Sequence, residues 1–327
     1  MAIDSCGALV VACPNFADTS FPGCVIRLSP SGKVEKWFDV PPLADTGKAF
    51  PMGIAFGSDG DLFVCDNQNW PTGNGERGEI NQGRLLRLKI GEGGIEKTTV
   101  VAQGISHPNG VRIRDGQAYV TVSMLPKVKR ADGLLTSAVY RFDVDAEGIE
   151  LTNALDDPNL LVSFVTRNPD CQYGADGLAF DSKGNLFVGN FGDGALHKVT
   201  FDAEGNVAAS CVFAKTDFDT PMSSPQFAKD MTKGKMRTTD GICIDKSDNI
   251  YVADFSNNAV CRVDPEGNIT VLAQSPDCDG SKGGLDQPGE PILWQGKLVL
   301  SCFDIVTGPD KVNTGHDRPF TLAWIEP

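Results

Sequence analysis

Four oxygen-bearing side chains recur at one place in a repeated segment: Asn109, Asp176, Asp240 and Glu290. Each opens a short apolar run of strand character, namely "NGVRI", "DGLAF", "DGICI" and "EPILW". If these runs are equivalent strands of consecutive units, three carboxylates and an amide converge on one point. Like charges that close raise one another's pKa unless a cation neutralises them. Oxygen donors without Cys or His suit a hard divalent cation, calcium ahead of magnesium or manganese, with zinc a further alternative. A competing reading is that Asp-Gly and Asn-Gly simply make tight turns. Glu290 precedes a proline rather than a glycine, so turn chemistry alone does not account for it. Asp240 first and Asp176 second are the candidates for activating water or attacking directly.

The remaining candidates are fewer. The chain has three histidines. His107 stands two residues before Asn109, and His316 sits in the polar stretch "NTGHDRP". Either can serve as a general acid or base, with an ordinary surface or capping histidine as the alternative. His197, in "ALHKV", reads as a strand-face residue without chemistry. Asn190 and Asp254 end the runs "LFVGN" and "IYVAD" and are candidate supports around a cation. Nucleophile elbow, phosphate loop and H-E-x-x-H are all absent.

The elements that position these residues come from an internal repeat. "DGLAFDSKGNLFVGNF" from Asp176 superposes on "DGICIDKSDNIYVADF" from Asp240 in apolar pattern, polar turn and final aromatic. "MGIAFGSDGDLFVCDN" from Met52 fits the same template, "NGVRIRDGQAYVTVS" from Asn109 fits with a shorter turn, and "EPILWQGKLVLSC" from Glu290 with a shorter one still. A third strand follows in most units and a fourth closes them. No stretch keeps a 3.6-residue apolar period over a helix length. Units of four antiparallel strands predict an all-β, six-bladed β-propeller forming one domain over residues 1–327. The first blade is truncated at its N-terminus, because "MAIDSCGALVVACP" aligns with Met1 already inside the innermost strand. "FTLAWIE" is then a third strand of blade six without a fourth. The first-to-second and third-to-fourth turns are short, whereas stretches 67–82, 123–134, 215–238, 274–288 and 304–319 are long and share the opposite face. Long loops cost ordering entropy, so binding is expected there.

Composition narrows the partners. Twenty-nine basic residues against 43 acidic ones leave a net charge of −14. So acidic a chain repels polyphosphate and anionic membrane surfaces, which excludes nucleic acid and membrane as partners and leaves small molecules. No apolar run approaches the roughly 20 residues of a bilayer-spanning helix, and residues 1–13 lack a basic signal-peptide start. Of ten cysteines, Cys13, Cys24, Cys65, Cys211, Cys243, Cys261 and Cys302 lie in apolar strand-like runs and read as small buried hydrophobes. Cys171 and Cys278 lie in polar loops of non-adjacent blades, so no disulfide between them is expected. Free thiols without an export signal imply a reducing compartment, the cytoplasm.

"HPNGV", "YGADGLAFDSKGNLFVGNF" and "TTDGICIDKSDNIYVADFSNNAVCRVDPEG" resemble the senescence-marker-protein/gluconolactonase family, over nearly the whole chain. The resemblance implies a six-bladed propeller with a divalent cation, usually calcium, in its channel, hydrolysing lactones or phosphoesters. It implies Asn109 and Asp240 as ligands at the family's blade-three and blade-five positions. Asp176 stands where the family usually has asparagine. The family's blade-one glutamate would precede Met1, and Glu290 is its candidate substitute. The function implied is metal-dependent hydrolysis of a small lactone or related ester. The alternatives are a non-catalytic propeller that binds a ligand or partner, and a propeller lyase.

Overall fold

One five-residue pattern shapes four of the hairpins: Asp, two residues, Gly or Asp, then Asn, at 181–185, 202–206, 245–249 and 264–268. In each, the leading carboxylate accepts the N–H groups two and four residues on, at 2.8–3.1 Å. Such Asx bonds satisfy the backbone of a tight reversal. The fourth residue has positive φ, which suits Gly184, Gly205 and Gly267 but places Asp248 at 62°. Asp248 holds that conformation while its carboxylate accepts from the Ser182 N–H at 2.8 Å and the Ser182 hydroxyl at 2.7 Å, bridging two blades.

The computed structural model describes residues 1–16, 18–69, 81–216, 235–303, 312 and 321–327. Most of residues 304–319, His316 included, lie outside the described residues. Blade one comprises β1 (Ala2–Ile3), β2 (Leu9–Cys13), β3 (Cys24–Leu28) and β4 (Val34–Asp39). Blade two comprises β5 (Pro51–Phe56), β6 (Leu62–Asp66), β7 (Gly83–Gly91) and β8 (Gly94–Ile105). Blade three uses β9 (Pro108–Arg114), β10 (Gln117–Val122), β11 (Leu135–Asp143) and β13 (Leu160–Thr166), while β12 (Ile149–Glu150) pairs in parallel with β8. Blade four is β14 (Ala175–Phe180), β15 (Leu186–Asn190), β16 (Ala195–Phe201) and β17 (Val207–Lys215). Blade five is β18 (Ile242–Ile244), β19 (Ile250–Asp254), β20 (Ala259–Val263) and β21 (Ile269–Gln274). Blade six shows β22 (Pro288–Trp294), β23 (Lys297–Cys302) and β24 (Leu322–Ile325) among the described residues. The protein is a six-bladed β-propeller, as the repeat predicts.

Contacts cluster the chain into two compact units, Met1–Lys129 with Thr136–Ser163, and Arg130–Leu135 with Phe164–Pro327. In each, the core lies between facing blades. Leu62, Val64 and Leu86 meet Val10, Val25 and Phe38 in the first unit, and Phe187 and Leu196 meet Ile242, Val252 and Cys261 in the second. Alternation along the strands supplies these faces, because both sides of an inner blade strand are buried. Three cysteines depart from expectation, Cys13 and Cys243 being half-buried. Cys211 is exposed rather than buried, because β17 is an outer strand whose face meets solvent. All ten thiols are free, Cys171 and Cys278 included. Among the described residues no helix is long and apolar enough to cross a membrane.

Candidate functional site

The innermost strands share an irregularity that aims the candidate residues. Pairing with the second strand slips by one residue between Pro51 and Ile54, Pro108 and Val111, Ala175 and Leu178, and Pro288 and Pro291. A one-residue bulge bends the strand and re-aims its side chains, and bulges are common beside functional sites. In blade five the same two residues are Asp240 and Gly241, just before β18, where Asp240 N–H donates to Ala253 O at 3.0 Å. The first bulge residue is thus Met52, Asn109, Asp176 and Asp240 in blades two to five. The second is Gly53, Gly110, Gly177 and Gly241.

Those glycines are required by close backbone approach. A Cβ on Gly177 would lie 2.6 Å from the Asp240 carbonyl oxygen and 2.7 Å from the Gly241 α-carbon, and one on Gly53 would lie 2.8 Å from the Gly110 α-carbon. Sideways bonds run from blade to blade at this level. Gly177 N–H donates to Asp240 O at 3.3 Å, and Gly241 N–H to Gly289 O at 2.7 Å.

These bonds correct the alignment of blade six. Gly289, not Glu290, takes the place held by Asn109, Asp176 and Asp240, and Glu290 takes the glycine place. Two further contacts agree: Glu290 N–H donates to the Ser301 hydroxyl at 3.0 Å, as Gly110 N–H does to the Thr121 hydroxyl at 2.7 Å. Glu290 still reaches the acidic group, by another route. Its carboxylate lies over Gly241, in the space a Cβ there would fill. The shorter blade-six turn at Gln295–Gly296 hides this offset in the sequence. The shared prolines Pro51, Pro108 and Pro288, each just before the bulge, are the signal that reveals it.

In the second unit three carboxylates therefore gather. Asp176 is almost wholly buried, whereas Asp240 and Glu290 keep some exposed surface. Burial of its carboxyl, then the Glu290 charge, raises the Asp240 pKa well above the ordinary carboxylate range. The Gly241 N–H, 2.9 Å from Oδ1, and a side-chain hydrogen bond with Asp176 oppose that rise without cancelling it. Burial and the Glu290 charge thus favour the protonated form of Asp240. Among the described residues no three His, Cys, Asp or Glu side chains are gathered closely enough to hold a metal ion. The donor set nevertheless fits a hard cation: it is all oxygen, and two carboxylates with waters are enough for such an ion.

The other sequence candidates lie on other elements. Asn109 occupies the equivalent bulge of β9, buried, in the first unit. His107 is buried two residues before it, its carbonyl accepting the Ser123 N–H at 3.1 Å. His197 packs against Phe164 with the rings tilted and centroids 4.7 Å apart, and burial drops its pKa to about 4, leaving a neutral ring. Asp254 and Asn190 brace incoming chain. Asp254 accepts the Arg237 and Thr238 N–H groups, both at 2.9 Å, directly before Asp240. Asn190 Oδ1 accepts from the Thr166 hydroxyl at 3.0 Å.

One feature was missed by reasoning from types and spacing. Tyr173, Phe191, Phe255 and Phe303 form a row of tilted rings with centroids 5.3, 5.8 and 6.2 Å apart. The last three follow the ends of β15, β19 and β23. Phe303 comes within 3.7 Å of the position a Cβ on Gly289 would take, next to Glu290. The aromatic closing "VGNF", "VADF" and "LSCF" was its signal.

No protein-family model and no curated protein matches this chain. Solved structures do. A calcium-binding regucalcin from Agrobacterium tumefaciens aligns with TM-score 0.53 and 14% identity, over 91% of this chain and 81% of its own. A gluconolactonase from Xanthomonas campestris aligns with TM-score 0.50 and 16% identity, over 85% and 75%. The PQQ-bound aldose sugar dehydrogenase of Streptomyces coelicolor aligns with TM-score 0.53 and 16% identity, over 99% and 93%. Neighbours of such different chemistry, at such identity, speak for the fold alone. The chain is a six-bladed β-propeller whose solved neighbours include a gluconolactonase and a regucalcin, the group its blade-four and blade-five motifs resemble.

Proposed function

We propose that the protein is a metal-dependent hydrolase of a small lactone or related ester, with a divalent cation, calcium first, held by carboxylates of the Asp176, Asp240 and Glu290 group together with waters. The observation that carries this reading is the gathering of three carboxylates at the bulged ends of β14, β18 and β22, with Asp240 unable to ionise at its ordinary pKa. Resemblance of the motifs to the gluconolactonase group, and the fold shared with a gluconolactonase and a regucalcin, support it. A bound divalent cation supplies charge neutralisation and Lewis-acid polarisation of a carbonyl oxygen. The chain's own residues do the rest. Burial first, and second the charge of Glu290, braced through its N–H on Ser301, favour the protonated form of Asp240. Asp240, once ionised, is the base that takes a proton from the attacking water, and Asp176, hydrogen-bonded to it, holds its carboxylate in place. Asn109, the amide that the sequence adds to the ligand set, and His107 and His316, its candidate acids or bases, are tested by substitution to alanine.

The test is a panel of γ- and δ-lactones and aryl esters, assayed with calcium or manganese and with chelator. Turnover that needs the cation and disappears in Asp240→Asn supports the reading. Stoichiometric cation binding without turnover of any substrate points to a binding propeller instead. Turnover indifferent to chelator overturns the metal assignment.

A further inference from the structure

Blade one carries two thiols that face each other across a hairpin. Cys13 ends β2, Cys24 opens β3, and the two are direct partners in the antiparallel register. Directly opposed residues of such a ladder have α-carbons about 4.5 or 5.5 Å apart, and both values fall inside the roughly 4.4–6.8 Å that a disulfide spans. Directly opposed residues project their side chains from the same face of the ladder, so the two thiols are nearest neighbours, and the Cys13 thiol donates to Val11 O at 3.9 Å. No other pair of cysteines shares a register position among the described strands.

The surroundings favour reaction at Cys24. Its sulfur accepts from the Asn15 side-chain amide at 3.9 Å. Asn15 is held by its own bond to Pro22 O at 2.7 Å and sits in the left-handed region at φ 52°. The neighbouring Cys13 thiol, with smaller help from Asn15 and Lys36, outweighs burial and the Asp39 charge and brings the Cys24 thiol down to about 7. The same contact pushes Cys13 up. Burial raises the thiols of Cys65, Cys261 and Cys302 instead, which makes them inert. Cys13 keeps part of its surface exposed, so a small reagent can approach the pair.

We propose that Cys13 and Cys24 form an intramolecular disulfide by exchange with a small-molecule disulfide, which makes this hairpin a reversible thiol-modification site. The Cys24 thiolate attacks one sulfur of the small disulfide and expels one of its halves as a thiolate. Cys13 then loses its proton and attacks Cys24 Sγ, expelling the second half. Two electrons pass to the small disulfide, which becomes two thiols, and the two protein protons end on them. The new bond closes a short loop across residues 14–23 and constrains the unfolded chain.

The experiment incubates the reduced full-length protein with oxidised glutathione and counts free thiols after denaturation. Expected are the loss of two thiols without retained glutathione, and fragments joined through Cys13 and Cys24 after cleavage before Asp18. A rise of several degrees in melting temperature, reversed by dithiothreitol, is expected with them. Cys13→Ser and Cys24→Ser each abolish the rise, whereas Cys6→Ser leaves it intact. A pair that stays reduced while exposed Cys6 and Cys211 react overturns the proposal. So does a mixed glutathione adduct at Cys24 that Cys13 fails to displace, or a bond from Cys6 to either partner.

Discussion

The Gly241 α-carbon lies beneath the Glu290 carboxylate, and a single methyl there would collide with it. It would also lie 2.6 Å from the Gly289 carbonyl oxygen and 2.8 Å from the Glu290 α-carbon, so the backbone itself must move. Gly241→Ala should therefore cost about 2 kcal/mol of stability, in the range of overpacking and strain, and should remove activity with it. Gly93→Ala, where a Cβ meets nothing within 4 Å, is the control and should change stability by less than about 0.5 kcal/mol. Urea titration of the two variants checks both. Asp240→Asn keeps shape and removes charge, so it should abolish cation-dependent turnover while leaving the urea midpoint close to wild type. Asp176→Asn restores the residue type of the resembling family and should be the mildest of the carboxylate changes. Steady-state rates on the substrate found by the lactone panel decide this order, and a Asp240→Asn enzyme with full turnover would remove Asp240 from the site.

Single strands and their connections are held by buried acids whose cost depends on pH. Burial lifts the Asp254 carboxyl from 3.8 to about 6 although four donors surround it. Between those values the folded protein keeps a proton that the unfolded chain has lost, so stability falls as pH rises through this window. Above about 6 the loss is complete, and a shift of that size amounts to about 3 kcal/mol. Asp254→Asn should be less stable overall, since its amide N–H₂ must face a backbone N–H of Arg237 or Thr238. The wild type's advantage over it should nevertheless shrink as pH rises from 3.8 to about 6, and unfolding free energies at both ends measure that difference. In blade two, Asp66 accepts from Arg84 at 2.7 and 2.8 Å and from the Phe50 N–H at 2.7 Å, with the pair almost entirely out of water. Arg84→Ala leaves that carboxylate buried without its cation and should cost roughly 3–5 kcal/mol. An Arg84→Ala midpoint equal to wild type would show that water reaches Asp66.

For the molecule as a whole, the proposed cation is a ligand of the folded chain alone. Calcium at about 100 times its Kd should add roughly 2.7 kcal/mol to folding stability by mass action. The melting temperature should rise with calcium, fall back with chelator, and remain unmoved in Asp240→Asn. A melting temperature indifferent to calcium, magnesium and manganese alike would leave the acidic group without a metal role. The net charge of −14 adds a general sensitivity, since salt screens repulsion among exposed carboxylates. A rise that sodium chloride reproduces at equal ionic strength is therefore screening, not site binding.

Blade count and strand order are legible in the sequence because they rest on local rules. Alternating apolar runs make two-faced strands, and the Asp-x-x-Gly-Asn turns close them, each within a few residues. The acidic character of the inner strand ends is equally legible, since Asp176 and Asp240 stand at the head of matching segments. Where Glu290 stands is not. Its place follows from a one-residue bulge, and the bulge is set by sideways hydrogen bonds from Gly177 and Gly241 to the next blade, which no run of residues encodes locally. The nearness of Asp176 to Asp240 and the Cys13–Cys24 pairing have the same origin. Residues 64 apart in the first case, and across a hairpin register in the second, meet only once strands have paired and blades have packed. A slip of one residue on either side would have turned them away from each other.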